Sequence, residues 1–202
     1  MASTKVIKQK IKAISSIKKI TKTMEMVAVS KMKKTVKEAL DMYEYVSELK
    51  EVIKLISPLD TERHPLFDNS NIKTNTEMVV IFASNKGLAG SFNTNIYRQT
   101  KKLVELHPSI TEAICVGNFA EKVARKLGLN ILLSFVEIEK VQTVYNLSKI
   151  EKYIRESYLN NSVKKVHVVY TSFVKIGLFE AVSLPVLPVS RKDYRTESKQ
   201  IY

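Results

Sequence analysis

The sequence contains few of the residues that cross-link or interrupt a polypeptide chain. Among its 202 residues there are one cysteine, five glycines, five prolines and no tryptophan. A single cysteine excludes an internal disulfide framework and is typical of a reducing compartment. Cys115 lies in the apolar run 113–116, which predicts a small core residue and not a nucleophile.

Long apolar segments are missing as well. No stretch of about 18 uninterrupted apolar residues occurs, and this excludes an ordinary membrane-spanning helix. The N-terminus has neither the apolar block and cleavage site of a secretory signal nor the arginines of a transit peptide. We therefore expect these first residues to belong to the mature protein.

Residues 1–56 contain no glycine and no proline, so they predict one long helix. At about 1.5 Å per residue, 50 helical residues would extend roughly 75 Å. Apolar steps averaging about 3.5 residues predict a coiled-coil seam, which requires a partner helix. No second long helix is predicted after residue 57. The seam positions are Ile7, Ile11, Ile14, Ile17, Ile20, Met24, Val27, Met32, Val36, Leu40, Tyr43, Val46, Leu49, Ile53 and Ile56.

The positive charge is concentrated in the same segment. Residues 1–37 hold eleven lysines, no arginine and one acid, Glu25, and so carry +10 of the chain's net charge of +13. Such a field favours an acidic partner, which is either carboxylate-rich protein, nucleic acid or anionic lipid. The alternative is a helix face that is merely solvated.

Turn-forming residues separate this helix from a second unit. We predict a shaft helix at 1–57, a linker at 58–76, an α/β domain at 77–189 and a polar tail at 190–202. The continuously apolar run 78–83 is typical of a strand buried on both faces.

The remaining elements of the domain alternate between strand and helix. Helices are predicted at 92–106, capped near Ser91 or Asn93, at 118–127, ending at Gly128, and at 146–158; strands are predicted at 112–116, 130–135 and 165–170. A final strand at 178–187 is limited by Pro185 and Pro188. The fold class is therefore α/β, with a long N-terminal coiled-coil helix and a Rossmann-like domain whose sheet is largely parallel.

The turn after the first strand, residues 84–91, contains glycine and precedes a helix, which invites a phosphate-binding interpretation. A P-loop requires four residues between its glycines and a lysine after the second, whereas only two residues lie between Gly87 and Gly90 and Lys86 precedes them. A dinucleotide fingerprint requires a third glycine, which is missing. The spacing favours a turn that packs closely or contacts a neighbouring molecule.

Catalytic and metal-binding patterns are not evident. His64, His107 and His167 are far apart in sequence, and none has a metal-ligand neighbour at i+3 or i+4. His64 and His107 precede prolines and indicate loops, whereas His167 lies in a predicted strand. No nucleophile motif or framed pair of carboxylates occurs. We expect no catalytic residue, no metal site and no cofactor.

Two stretches resemble a known family, the γ subunit of F-type ATP synthases. The turn 84–93 resembles the family signature Thr-Asp-Arg-Gly-Leu-Cys-Gly-Gly-Leu-Asn, with Asn85, Lys86, Ala89 and Ser91 replacing the acid, arginine, cysteine and second glycine. The family's other signature, in its N-terminal helix, is closely similar to Lys19-Ile20-Thr21-Lys22-Thr23-Met24-Glu25-Met26-Val27-Ala28-Val29-Ser30-Lys31-Met32.

The resemblance implies a non-catalytic rotor in the central stalk of an F-type ATP synthase or ATPase. In that family an N-terminal and a C-terminal helix form an antiparallel coiled coil that turns inside a ring of α and β subunits. The α/β domain lies near the ε subunit and the membrane ring of c subunits. The implied location is peripheral, on the cytoplasmic face of the bacterial plasma membrane. We expect this chain to lack the C-terminal shaft helix.

The resemblance also implies which residues make contacts. Met24, Lys31, Lys33 and Lys34 are the expected contacts with β subunits. The shaft seam in this region is Ile20, Met24, Val27, Met32 and Val36. The expected contact loop of the lower domain is Lys86, Gly87, Leu88 and Gly90.

Three other functions compete with the synthase rotor. One is a γ-like shaft of a related ATPase motor that does not make ATP. Another is a basic-helix module that binds nucleic acid, although its lysines occupy several faces and no aromatic precedes Tyr43. A third is a helix that lies on anionic lipid, which the lack of Trp, Phe and Leu in residues 1–37 disfavours. Either of the last two predicts steeply salt-dependent binding.

Overall fold

The computed structural model describes residues 4–56, 64–67, 72–136, 143–175 and 177–189. The chain divides into two compact units, Met1–Leu59 and Asp60–Tyr202. The predicted tail at 190–202 and much of the predicted linker at 58–76 lie outside the described residues.

The first unit is built on one helix, α1 (Thr4–Ile56), of 53 residues. The predicted long helix is therefore confirmed. Its sequence has no glycine or proline to interrupt the helix. Ser16, Thr21 and Thr23 each donate a hydrogen bond of 3.0 Å to the carbonyl four residues earlier. No described helix is both long and apolar enough to cross a membrane.

The second unit contains a five-stranded sheet with the spatial order β3-β2-β1-β4-β5. Strand β1 pairs in parallel with both β2 and β4, and β2 pairs in parallel with β3. Only the described pairing of β4 with β5 is antiparallel, which confirms the prediction of a largely parallel sheet. The elements are β1 (Glu77–Phe82), α2 (Phe92–Leu106), β2 (Ile110–Val116), α3 (Asn118–Lys126), β3 (Asn130–Phe135), α4 (Thr143–Leu159), β4 (Lys165–Lys175) and β5 (Leu178–Leu187).

Side chains of the central strands alternate between two apolar clusters, one on each face of the sheet. Val79 and Ile81 of β1 pack in the cluster that contains Ile96 of α2 and Val123 of α3. Met78 and Val80 pack in the cluster that contains Ile150 and Tyr158 of α4. Because both faces are covered, β1 and β2 contain the continuous apolar runs 78–82 and 113–116.

The buried cysteine follows this alternation. Cys115 of β2 is fully buried in the cluster beside α2 and α3, as its apolar neighbours predict. Burial raises the pKa of its thiol to about 12, with a smaller contribution from the nearby carboxylate of Glu121. The thiolate that reacts with electrophiles is therefore scarce at neutral pH.

Strand β5 forms despite its proline. The described sheet ends at β5, so this strand has one side without a ladder partner, where a missing N–H costs least. Pro185 lies opposite His167 in the β4–β5 register. The sequence pattern marks β4 only to residue 170, whereas the strand continues to Lys175 because the hairpin with β5 extends it.

Candidate functional site

The first candidate site is the basic, apolar surface of α1. Lys31 and Lys34 follow Val27 by four and seven residues, so they continue the face that carries Met24 and Val27. Lys33 points to another side of the helix, about 120° from Val27 at 100° per residue. Positive and apolar groups therefore share one face of the shaft helix.

The predicted seam is exposed along this helix. Ile20, Met24, Val27 and Met32 are exposed, and Val36 is half-buried. The step of five residues from Val27 to Met32 rotates the helix by about 140°, so Met32 and Val36 start a second apolar stripe. On helical geometry the predicted seam residues therefore lie on two faces of α1.

The acid in this basic segment is locally paired. Lys22 donates to the carboxylate of Glu25 at 3.0 Å, and both side chains are more than half exposed. An exposed pair of this kind contributes about 0.2–1 kcal/mol to stability. Because Glu25 is one acid among eleven lysines, residues 1–37 keep a net charge of +10.

The second candidate site is the turn between β1 and α2. Its base is held by hydrogen bonds of Ser84 to the turn and to α2: Ser84 accepts a hydrogen bond from Asn93 Nδ2 of α2 at 2.8 Å and donates one to the carbonyl of Lys86 at 2.7 Å. Asn85 Oδ1 accepts a hydrogen bond of 3.1 Å from the backbone N–H of Asn118, at the start of α3. Asn85 therefore anchors the turn to α3.

The tip of this turn is exposed. Leu88 has a left-handed backbone (φ 58°) and is 98% exposed, while Gly90 has φ 56°. Ser91 occupies the N-cap position of α2, but its side chain makes no capping hydrogen bond. Lys86, Gly87, Leu88 and Gly90 thus form one solvent-facing loop.

Close packing beneath the turn depends on Gly117. Its φ is +100°, and a Cβ there would overlap the carbonyl oxygen of Ala83 and lie 2.9 Å from the carbonyl carbon. The Gly117 N–H donates to Phe135 O at 2.8 Å, and the N–H of Phe119 donates to Ser84 O at 3.1 Å. The ends of β1, β2 and β3 therefore meet beneath the turn at Gly117, a position that only glycine fits.

The fold also brings together three side chains that the sequence spacing does not connect. His167 Nε2 lies 2.8 Å from Glu77 Oε2, and His107 Nδ1 lies 3.6 Å from the same oxygen. The two imidazole rings are 4.9 Å apart between centroids. Burial lowers the pKa of His167 below its usual value, although its bond to Glu77 acts in the opposite direction. Glu77 lies near His167 because β1 and β4 pair in parallel. This pairing is known from the order of strands in the sheet and is not evident from the sequence.

Known proteins match this chain over almost its full length. The ATP synthase family model matches residues 3–202. The ATP synthase γ chain of Chloroherpeton thalassium is 33% identical over an alignment of 205 residues that covers 96% of this chain and 66% of the relative. That of Chlorobium phaeobacteroides is 31% identical over 212 residues, covering 100% and 72%.

The chain spans about two thirds of the length of these curated relatives. A solved central stalk and c-ring of the Tetrahymena thermophila mitochondrial ATP synthase shares 18% identity with it, covering 76% of this chain and 80% of that one, with a TM-score of 0.47. On the family model and the curated relatives, this chain belongs to the ATP synthase γ-chain family.

Proposed function

We propose that this chain is the rotor subunit γ in the central stalk of an F-type ATP synthase or ATPase. The observation that carries the proposal is α1, a 53-residue helix with an exposed apolar stripe. Its residues 1–37 carry +10 of the net charge. Neither apolar exposure nor so dense a charge favours an isolated helix, so both features support a partner that supplies apolar and acidic groups.

The partners that we propose for α1 are a second shaft helix and the catalytic ring of α and β subunits. Met24 and Val27 would pack on apolar groups, while Lys31 and Lys34 on the same face would meet carboxylates of β. Lysine suits a sliding contact because its flexible, hydrated ammonium forms fewer fixed bidentate bonds than arginine does. Rotation of the shaft would then select which β site is open, and catalysis would belong to β and not to this chain.

The proposed contact of the lower domain is the loop of Lys86, Gly87, Leu88 and Gly90. A leucine in the left-handed region costs about 1–2 kcal/mol, and the fully exposed side chain of Leu88 recovers none of this by packing in the chain. The cost is offset if Leu88 is buried against a partner. We propose the ε subunit and the c-ring as partners on this side, with the complex peripheral to the cytoplasmic face of the bacterial plasma membrane and no cofactor in this chain.

Co-assembly with cognate α and β subunits tests the proposal. The chain is co-expressed with both subunits, the complex is purified through a tag on β, and subunit masses and ratios are measured. We expect one copy of this chain per three β subunits. Recovery of α and β without the chain contradicts the proposal. Salt-sensitive retention on nucleic acid instead would favour the basic-helix binding module.

Substitution of Leu88 tests the contact loop separately. We expect Leu88→Asn to leave the free energy of unfolding unchanged or to raise it by up to about 1 kcal/mol, because asparagine tolerates the left-handed region. Capture of the chain by a tagged ε subunit is expected to weaken roughly tenfold or more, as the loss of one buried leucine predicts.

Leu106→Asn is the matched control, because Leu106 is also exposed but ends α2 away from the loop. Capture and urea unfolding are measured for both variants. Equal loss of ε capture by the two variants would remove Leu88 from the proposed interface.

A further inference from the structure

Glu77, His107 and His167 form a compact cluster at the end of the sheet where the parallel strands begin. Glu77 is the first residue of β1, His107 follows the end of α2, and His167 is the third residue of β4. The nearest carboxylate oxygen and imidazole nitrogens of the three side chains all lie within 4.8 Å of one another. Three segments distant in sequence therefore present one ligand atom each to a common point.

The backbone holds these three residues in place. The Glu77 N–H donates to Ser109 O at 2.8 Å, and the His107 N–H donates to Leu103 O at 2.9 Å. The His107 carbonyl accepts the N–H of Ile110 at 3.0 Å, which fixes the connection between α2 and β2. His167 belongs to the β1–β4 ladder, opposite Val79. A site on such positions is largely formed before a ligand arrives.

We propose that Glu77, His107 and His167 bind a divalent transition-metal ion of the Zn²⁺ class. One carboxylate oxygen and one nitrogen of each imidazole would be the protein ligands, and water would complete the coordination. Two imidazoles with one carboxylate suit zinc and neighbouring transition metals, whereas Mg²⁺ and Ca²⁺ prefer oxygen ligands. The proposal is independent of the rotor function.

The distances suit this ion. Zinc binds imidazole nitrogen and carboxylate oxygen at about 2.0–2.2 Å, so tetrahedral ligand atoms lie roughly 3.3–3.5 Å apart. The observed separations from Glu77 Oε2, 2.8 Å to His167 Nε2 and 3.6 Å to His107 Nδ1, lie on either side of that value. The ligand nitrogens of His107 and His167, the third pair, lie within 4.8 Å of each other.

Burial differs across the cluster in a way that fits metal entry. The side chain of His167 is 5% exposed and that of Glu77 is 12% exposed, whereas that of His107 is 36% exposed. Water and metal can therefore reach the cluster from the His107 side, while the other two ligands stay shielded. A bound ion would join the starts of β1 and β4 to the α2–β2 connection and so stabilise the α/β unit.

Metal binding by the full chain tests the proposal, with any polyhistidine tag removed and metal extracted by a chelator. Zinc is titrated calorimetrically, and Co²⁺ absorption in the visible range reports the coordination geometry. We expect one Zn²⁺ per chain, a rise in the thermal unfolding midpoint with zinc, and the intense bands of four-coordinate Co²⁺.

His107→Gln is the main variant, because His107 is the most exposed ligand and its loss disturbs packing least. We expect its zinc affinity to fall roughly 100-fold or more, since even second-shell changes cost about 10–100-fold. Glu77→Gln, which keeps a hydrogen-bonding group beside His167, is expected to act alike. His64→Gln is the matched control, because His64 is exposed and outside the cluster.

Each outcome has a defined meaning. Unchanged zinc binding in His107→Gln, an equal loss in His64→Gln, or no zinc bound by the unaltered chain would overturn the proposal. The cluster would then be a hydrogen-bonded histidine and glutamate pair with a neighbouring histidine. Should Glu77→Gln fail to fold, His107→Gln still decides the matter, because its fold is checked by thermal unfolding without zinc.

Discussion

Replacement of Gly117 by alanine is expected to lower the free energy of unfolding of the α/β unit by about 3 kcal/mol or more. The added Cβ would overlap the carbonyl of Ala83, and the obstructing atoms are backbone at the end of β1. The positive φ of +100° adds further strain for any residue with a side chain. The overlap between the added Cβ and the Ala83 carbonyl is relieved only if β1 and β2 move apart beside the contact loop.

Gly128→Ala is the matched control for this change. Gly128 also has a positive φ, +71°, but no heavy atom lies within 4 Å of the position that an added Cβ would take. Only the backbone strain remains at Gly128, so we expect the free energy of unfolding to fall by about 1–2 kcal/mol. Similar losses in the two variants would show that close packing at Gly117 does not matter.

The buried thiol provides the measurement for both variants. Cys115 is the only cysteine in the sequence and lies in β2 with no exposed surface. Its reaction with a thiol reagent during pulses at increasing urea therefore reports opening of the sheet, without a signal from α1. We expect the midpoint of labelling to fall furthest for Gly117→Ala.

Reversal of the charge at Lys31, Lys33 and Lys34 to glutamate is expected to weaken assembly with α and β subunits roughly tenfold or more, with a corresponding loss of ATP turnover. On the proposed function these lysines attract an acidic partner, and glutamate at the same positions would repel it. Each exposed pair contributes about 0.2–1 kcal/mol, so the combined change reaches the 1.4 kcal/mol or so that corresponds to tenfold. Subunit ratios and ATP turnover of the purified complex are the measurements.

The same three substitutions at Lys73, Lys101 and Lys102 are the control. These lysines are exposed in the α/β unit, so the net charge changes equally while α1 keeps its field. Individual variants then separate the faces of α1: Lys31→Glu and Lys34→Glu, beside Met24 and Val27, are expected to matter more than Lys33→Glu. If the control variant and the shaft variant weaken assembly equally, net charge alone accounts for the effect, and specific contacts of α1 do not.

Much of the fold follows from local pattern. The apolar run beginning at Met78 predicts β1 because a strand covered on both faces has no polar side to display. The helix predicted at 92–106 is observed as Phe92–Leu106, since its apolar positions recur with helical spacing. The proline within residues 178–187 argues against a strand only when the place of that strand in the sheet is unknown. At the edge, β5 tolerates Pro185.

The candidate sites differ in how far the sequence defines them. Charge and periodicity along one helix identify Lys31, Lys33, Lys34 and the seam residues. Their contacts with β subunits remain predictions. The turn is recognised from its glycines and its resemblance to the family signature. Its attachment through Asn85 and Asn118 is not recognised, because those residues are 33 positions apart.

The sequence by itself determined the long helix, its concentrated positive charge and the alternation that builds a parallel sheet. These depend on residues within a few positions of one another, where helical and strand periodicity act directly. Only the tertiary structure decided that Glu77, His107 and His167 converge, and that Gly117 must remain glycine. Both outcomes depend on which strands are neighbours and how closely their backbones approach, and those contacts join residues whose separation along the chain carries no signal of their proximity.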